Sequence, residues 1–584
     1  MRDQLLAVLG SLALAVLITW PAAIDVSGGM VGHPGNDTWN HAWGFWWVQD
    51  GIATDGAVPL HTDLLNHPLG GTLFFIDSFN ALWTVPAGWI GVPAAFNLAV
   101  LVAFTLNAFG MWTLARYVLR DRWAAWVPAA VYASSAHLMG QAYNGISETL
   151  NAGWLPLTCW ALLRLMDRQR PGRALALGAL LGICSLSNFY YGLFGILVCV
   201  IGALHRAITE PRLTRWGPFV GFAALGAGLY AVLVLPVLRI LSASLGAEDA
   251  MVNRDQDFVW QSLLNHNITD AIGFFRPGRV YSPDLKALYG EDLIIVTYLG
   301  WVALTLALVA FARARPFRQL SLWGVFAVVF LVFSLGPYLH VNGAYVTWEG
   351  DWVDAEVFAI NPKSYKVIPL PFLTFFEAFP LFSRISHPFR FVVPALLGIG
   401  LLAGFGVQWL KQRVHVAVVP VAVVAVLAEV LLASPAPWPL PRCDAEIPAV
   451  YANLEGSEGA VLDLPITVPN LERAVYTWYQ TGHGLPSPYG LNDPIPNALE
   501  SNPLTALLVQ VEASRAVTLP RMLPELELVI GRRLLEAQGY RWIVVHERLY
   551  PEHKRRMVRD ILEPLLGEPQ REGGVAVYAL GPPA

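Results

Sequence analysis

The sequence predicts a mainly α-helical, polytopic membrane protein with about eleven transmembrane helices and a small α/β domain at its C-terminal end. Three observations predict this class. Of 584 residues, 55% are hydrophobic and only 14% charged, against about 25% charged in soluble domains. Apolar runs of bilayer-crossing length, roughly 17–25 residues, recur as far as residue 433. Beyond a proline-rich stretch at Pro435, Pro437, Pro439 and Pro441, polar and strand-like segments replace them.

The spans are expected near 5–24, 94–116, 123–139, 149–166, 173–187, 189–207, 217–241, 292–312, 319–336, 390–410 and 415–433. With the N-terminus in the cytoplasm, Arg116, Arg120 and Arg122 fall on an inner loop, as do Arg164, Arg168, Arg170 and Arg173. So do Arg206, Arg212 and Arg215, then Arg313, Arg315 and Arg318, and finally Lys411 with Arg413. Every short inner connection is then basic, as the positive-inside rule requires. A shift by one span would put all of these charges on the wrong side. The long polar segments 25–93, 242–291 and 337–389 then lie outside, with the tail 434–584, so chemistry is expected there. Residues 1–433 form the membrane module and 434–584 the extracytoplasmic α/β domain, in the cytoplasmic membrane of a bacterium. The preference for Arg over Lys fits a GC-rich genome. The net charge of -5 gives no basic surface for nucleic acid. Cys159, Cys184, Cys199 and Cys443 form no disulfide framework and no zinc spacing.

Within the tail, Ala460–Leu464, Trp542–His546 and Val575–Leu580 read as strands, with amphipathic helices near 523–538 and 552–566. Its aromatic residues Tyr476, Trp478 and Tyr479, with His483, fit either core packing or acceptor contact.

The first outer segment carries the candidate chemistry. Asp37 precedes a helix with Trp39, Trp43, Trp46 and Trp47 at i, i+4, i+7 and i+8, one face that suits a membrane interface. Asp37 fits a helix N-cap and also a carboxylate held above the bilayer. Asp77 precedes an expected helix over 78–90 and Glu148 opens the fourth span, so both fit helix caps as well as substrate contacts. His33, His41, His61 and His67 crowd one loop, yet no pair has metal-ligand spacing on one helix. No metal-ligand set is assigned, and use of a divalent metal stays open. Tyr190 and Tyr191 fit sugar stacking or interfacial anchoring. Arg384, His387 and Arg390 sit at the outer end of the tenth span, as a phosphate clamp or as snorkelling anchors. Arg276 and Arg279 are second choices. Among the spans, Glu429 is the one acid at mid-membrane with transporter-like placement.

Several loose motifs together resemble the integral-membrane glycosyltransferases of the C-type fold, a resemblance that runs along most of the chain. These are Asp37 before its aromatic helix, His67-Pro68-Leu69-Gly70, Asp77, Ala95-Phe96-Asn97-Leu98, Ser147-Glu148, Phe189-Tyr190-Tyr191-Gly192 and Arg384-Ile385-Ser386-His387-Pro388-Phe389-Arg390-Phe391. The tail motifs Leu462-Asp463-Leu464-Pro465 and Tyr479-Gln480-Thr481-Gly482-His483-Gly484 look like those of bacterial members. The resemblance implies sugar transfer from a polyprenyl-phosphate donor to a glycan, lipid or protein acceptor outside the cytoplasm. Asp37 takes the family's catalytic base. Arg384, His387 and Arg390 would hold the donor phosphate, with His41, Asp77, Glu148, Tyr190 and Tyr191 around the substrate. Many members have paired acids where this chain has Asn36-Asp37, which leaves the second acid unassigned. The competing expectations are a non-catalytic membrane protein that binds or escorts lipid-linked glycans, and a transporter.

Overall fold

The computed structural model describes residues 2–212, 214–251, 256–265, 267–277, 293–314, 317–380, 382–491, 496–515 and 525–581. Asp255 and Arg279 lie outside them. The protein is a multi-pass membrane protein built mainly of helices. Among the described residues, Val92–Leu119, Phe189–Thr209, Trp216–Leu245 and Pro388–Arg413 are long and apolar enough to cross a membrane. The other apolar segments hold shorter or interrupted helices. Residues 123–143 break into Trp126–Ala133 and Ala136–Tyr143 at Ser134-Ser135. The segment expected to span 292–312 is helical only from Trp301, with a π turn over Ala310–Ala314.

That late start has a visible cause. Glu429, expected to lack a partner, accepts hydrogen bonds from the backbone N–H groups of Trp301 at 2.6 Å and Val302 at 2.9 Å. It therefore caps the Trp301–Val309 helix across the bundle, satisfying N–H groups that a helix start leaves unpaired. This is a structural use for the acid singled out for transport. The Val392–Arg413 helix runs through the core, with almost every residue from Val392 to Gln408 buried.

The chain after the prolines is tied down at once. Trp438 donates to the Leu17 carbonyl at 2.8 Å. Strand Arg442–Asp444 then pairs antiparallel with Gly29–Val31, placing Met30 opposite Cys443. Beyond it lies a four-stranded sheet in the order Gln570–Glu572, Val575–Ala579, Tyr540–His546, Ala460–Leu464. The last pair is parallel and the others antiparallel. The parallel pair needs a long crossover, which carries the helices Pro503–Ala513 and Glu525–Ala537. These helices and Glu552–Leu566 supply an apolar core that includes Leu462, Leu508, Leu535, Ile543 and Ile561.

The tail also covers the first outer segment. The stripe of indoles expected at a membrane interface is instead packed inside protein: Trp39, Trp43 and Trp47 are 3%, 0% and 5% exposed. Trp43 Nε1 donates to Gln480 Oε1 at 2.8 Å, and Trp39 stacks on Trp478 at 6.3 Å. Hydropathy cannot distinguish a face covered by lipid from one covered by a distant part of the same chain.

Candidate functional site

The site grows from two stretches that meet beside the start of the Thr38–Asp55 helix. Asn97, early in the Val92–Leu119 helix, fixes the first. Its Oδ1 accepts from Val31 N at 3.0 Å and its Nδ2 donates to the Gly29 carbonyl at 2.7 Å. The turn after Tyr143 fixes the second. His33 N donates to the Tyr143 carbonyl at 2.8 Å, and Asp37 N to that of Asn144 at 3.1 Å. Asn36 Nδ2 reaches Asn144 Oδ1 at 3.3 Å. Gly145 lets this turn lie on the helix start: its φ is +75°, and an added Cβ would sit 2.7 Å from Thr38 N. At this position the close approach demands glycine.

Asp37 occupies the N-cap position of the helix, but its carboxylate makes no capping hydrogen bond. Its Oδ1 accepts from Asn40 Nδ2 at 2.9 Å, and the side chain is half-buried. His41, four residues on, shares its helix face and is 5% exposed. Its Nδ1 lies 3.1 Å from Asp77 Oδ2, and its Nε2 lies 3.5 Å from Glu148 Oε2. Ser147 Oγ donates to the same Asp77 oxygen. Asp77 makes no side-chain cap, and the expected helix over 78–90 is split into Ser78–Trp83 and Val85–Gly88, with Pro86 in the second piece. Glu148 caps no span either. It sits in a 3-10 turn over Ser147–Leu150, and the next helix starts at Trp154. The cap readings of these two acids are thus replaced by a buried acid–imidazole–acid bridge.

The electrostatics follow from that bridge. Burial pushes the His41 imidazole down, but the Asp77 hydrogen bond and the charges of Glu148, Asp77 and Asp37 overcome it and raise its pKa to about 9. Burial raises the Glu148 carboxyl, an effect that Asp77 and Asp37 reinforce and that His41 and Arg390 oppose. The influence of Arg390 on Glu148 links the acids to the cationic residues opposite them.

Those residues assemble on the Phe189–Thr209 helix and the Pro388–Phe391 turn. Asn188 caps the helix, accepting from Tyr190 N at 2.9 Å and Tyr191 N at 3.3 Å. The Tyr191 hydroxyl donates to the Thr149 carbonyl, next to Glu148. The Tyr190 ring lies under the Arg390 guanidinium, 4.8 Å from centroid to Cζ, and its hydroxyl lies 3.4 Å from His387 Nδ1. Arg390 is 6% exposed, and its Nε is buried with no hydrogen-bond partner among the described residues. Arg384 is exposed on the preceding turn, Phe382–Arg384.

Asn144 escaped the sequence reading, and Ser147 and Gln480 entered it only within motifs, because their partners are far along the chain. In the tail, Gln480 Nε2 donates to the Leu64 carbonyl at 2.6 Å and the Leu485 carbonyl at 2.8 Å. Tyr476, Trp478 and His483 are buried. The first of these stacks on His546 at 4.7 Å, and the third on Tyr451 at 5.3 Å. Packing accounts for them.

His41, Asp77 and Glu148 also place one donor atom each within 4.8 Å of the others. Asp77 Oδ1 and Glu148 Oε2 are buried without hydrogen-bond partners among the described residues. One imidazole and two carboxylates with spare lone pairs fit a divalent cation, once His41 gives up its Nε2 or Nδ1 proton.

The fold is similar to that of a solved glycosyltransferase. The arabinofuranosyltransferase AftD from Mycobacteria matches the whole chain with a TM-score of 0.54 at 14% identity. This chain spans 40% of the length of AftD. Looser matches are the oligosaccharyltransferase AglB from Archaeoglobus fulgidus, TM-score 0.46 at 12% identity over 99% of this chain and 74% of that one, and ArnT from Cupriavidus metallidurans, TM-score 0.41 at 15% identity over 98% of both. No curated relative matches by sequence. The chain belongs to the family described as a domain of unknown function, DUF6311, whose sequence model matches residues 7–356.

Proposed function

We propose that this protein transfers a sugar from a polyprenyl-phosphate donor to an acceptor hydroxyl outside the cytoplasm. The observation that carries the reading is an acid cluster, Asp77 and Glu148 about His41 with Asp37 one turn away, joined through Tyr191 and Tyr190 to a buried arginine, Arg390. The working topology is the eleven-span one in the cytoplasmic membrane, with residues 1–433 as the membrane module. The N-terminus is inside, and residues 434–584 form an α/β domain outside. Glycan, lipid and protein acceptors all suit this placement.

In this reading Asp37 takes the proton from the acceptor hydroxyl as its oxygen attacks the anomeric carbon. The bond from that carbon to the phosphate oxygen breaks, and the phosphate leaves with the electron pair. Arg390 receives the growing negative charge, with His387 beside it and Arg384 at the exposed rim. Tyr190 holds the guanidinium by stacking. His41, kept protonated, holds Asp77 and Glu148 in place and keeps three acids compatible in one site. A divalent cation is the second reading of the same triad, favoured by the unpartnered Asp77 and Glu148 oxygens. His41, Asp77 and Glu148 would hold it, and it would supply Lewis-acid charge to the site. In both readings Asp37 stays the base.

The donor half is tested by binding of a polyprenyl phosphate to the purified full-length protein. Arg390→Gln is expected to weaken binding roughly 10–100-fold, the loss of one charge-assisted hydrogen-bond set. The exposed Arg384→Gln weakens it less. Unchanged binding in Arg390→Gln removes the phosphate role.

A further inference from the structure

A large cavity lies away from the candidate site. It lies at the other end of the Val92–Leu119 helix, around Thr113 and Arg116, and its volume is about 1310 Å³. Arg116 is 19 residues beyond Asn97, about 28 Å along a helix. Small-molecule pockets hold roughly 300–1,000 Å³, so this space suits something larger.

Its walls have two characters. One part is apolar, with Leu157, Leu163, Leu180, Trp323 and Phe405. The other gathers helix ends: the last turns of Val92–Leu119, Trp154–Asp167 and Phe189–Thr209, with the first turn of Arg2–Ile18. Five arginines line that end against three carboxylates. Some pair locally: Arg116 with Asp3 at 3.1 Å, Arg206 with Asp167 at 2.8 Å, and Arg318 with Glu210 at 3.4 Å. Two arginines are left in excess. The apolar part and the cationic part together make an amphipathic recess at the basic end of the bundle, the end that the positive-inside rule puts in the cytoplasm.

One polar atom in this recess is left over. Thr113 Oγ1 is buried with no hydrogen-bond partner among the described residues, whereas Arg206 Nε faces Glu210 Oε2 at 3.8 Å. Thr113 lies one helical turn in from Tyr117, whose hydroxyl donates to Asp167. Cationic helix ends, an unpartnered hydroxyl and an apolar stretch in one recess suit the groups of a phospholipid: phosphate, ester carbonyl and acyl chains.

We propose that this recess is a binding site for an anionic phospholipid of the cytoplasmic leaflet. The phosphate meets Arg2 and Arg120, the two lining arginines outside the ion pairs, an ester carbonyl accepts from Thr113, and the acyl chains lie along Leu157, Leu163 and Trp323. The excess of arginine selects a net negative headgroup over a zwitterionic one. The site is in the opposite leaflet from Asp37 and does not depend on sugar transfer.

The test is native mass spectrometry of the detergent-purified full-length protein. It is titrated with phosphatidylglycerol and, separately, with phosphatidylethanolamine of the same acyl chains. Phosphatidylglycerol should bind at least about tenfold tighter, the effect of one charge-assisted hydrogen bond. The double substitution Arg2→Gln with Arg120→Gln, which leaves the three ion pairs in place, should remove that preference. Thr113→Trp, which fills the recess and leaves the ion pairs intact, should lower binding of both lipids. Three results overturn the proposal: equal binding of the two lipids, phosphatidylglycerol binding unchanged in both variants, or its displacement by an equimolar polyprenyl phosphate.

Discussion

Replacing His41 by Gln takes the shared cation away from two buried acids, and the cost can be worked from the structure. The imidazole titrates at about 9 in the fold against an ordinary 6.5. That difference of roughly 2.5 units corresponds to about 3 kcal/mol of interaction favouring the protonated form. Breaking a buried ion pair by deleting one member gives a similar figure, about 3–5 kcal/mol. His41→Gln should therefore lower stability by about 3 kcal/mol. Asp77→Asn should also destabilise, and the double variant should be less damaged than the sum by at least about 0.5 kcal/mol, because the second change removes an acid already stranded by the first. The assay is thermal unfolding in lipid nanodiscs, read by tryptophan fluorescence, since Trp39, Trp43 and Trp47 are buried in the helix that carries His41. A chelator arm separates the two readings of the triad. An imidazolium bridge leaves the wild-type midpoint unmoved by EDTA, whereas a bound cation makes EDTA act like His41→Gln. Additive effects of the two substitutions, or a neutral His41→Gln, would refute the bridge.

Other outcomes follow from the same contacts. A raised histidine pKa gives stability that is fully present below about 6.5, the unfolded value, and lost as pH rises through about 9. The difference in unfolding midpoint between wild type and His41→Gln should thus shrink between pH 6 and pH 9.5, and a difference that grows would reverse the assignment. Gln480→Leu strands the Trp43 indole N–H and the Leu485 carbonyl, and leaves the Leu64 carbonyl with Ser487 N alone. Each stranded group costs about 1–3 kcal/mol, so this single change in the tail should loosen the Thr38–Asp55 helix. Hydrogen exchange of residues 38–48 is the measurement, and unaltered protection there would show that the tail does not hold the helix.

The apolar, helical character of the bundle was legible because bilayer thickness sets apolar run length. The helix interruptions were not legible. Ser134-Ser135 looks like ordinary apolar-span punctuation, and the late start at Trp301 depends on Glu429, more than a hundred residues away. At the site, the types of residue were readable but their company was not. Asp77 and Glu148 each precede a helical stretch, so local logic made them caps. Only the fold brings them to opposite nitrogens of His41, across separations of 36 and 107 residues. One local signal was present, the i, i+4 spacing of Asp37 and His41 on a single helix face. The buried indoles make the same point, because a tryptophan stripe reads identically whether lipid or a distant glutamine covers it.

The most direct measurement is turnover of a polyprenyl-phosphate sugar by the full-length protein in nanodiscs, with Asp37→Asn beside the wild type. Loss of a general base should lower the rate at least about 100-fold, with membrane insertion and unfolding midpoint unchanged. Transfer at the wild-type rate in a folded Asp37→Asn protein would contradict the account.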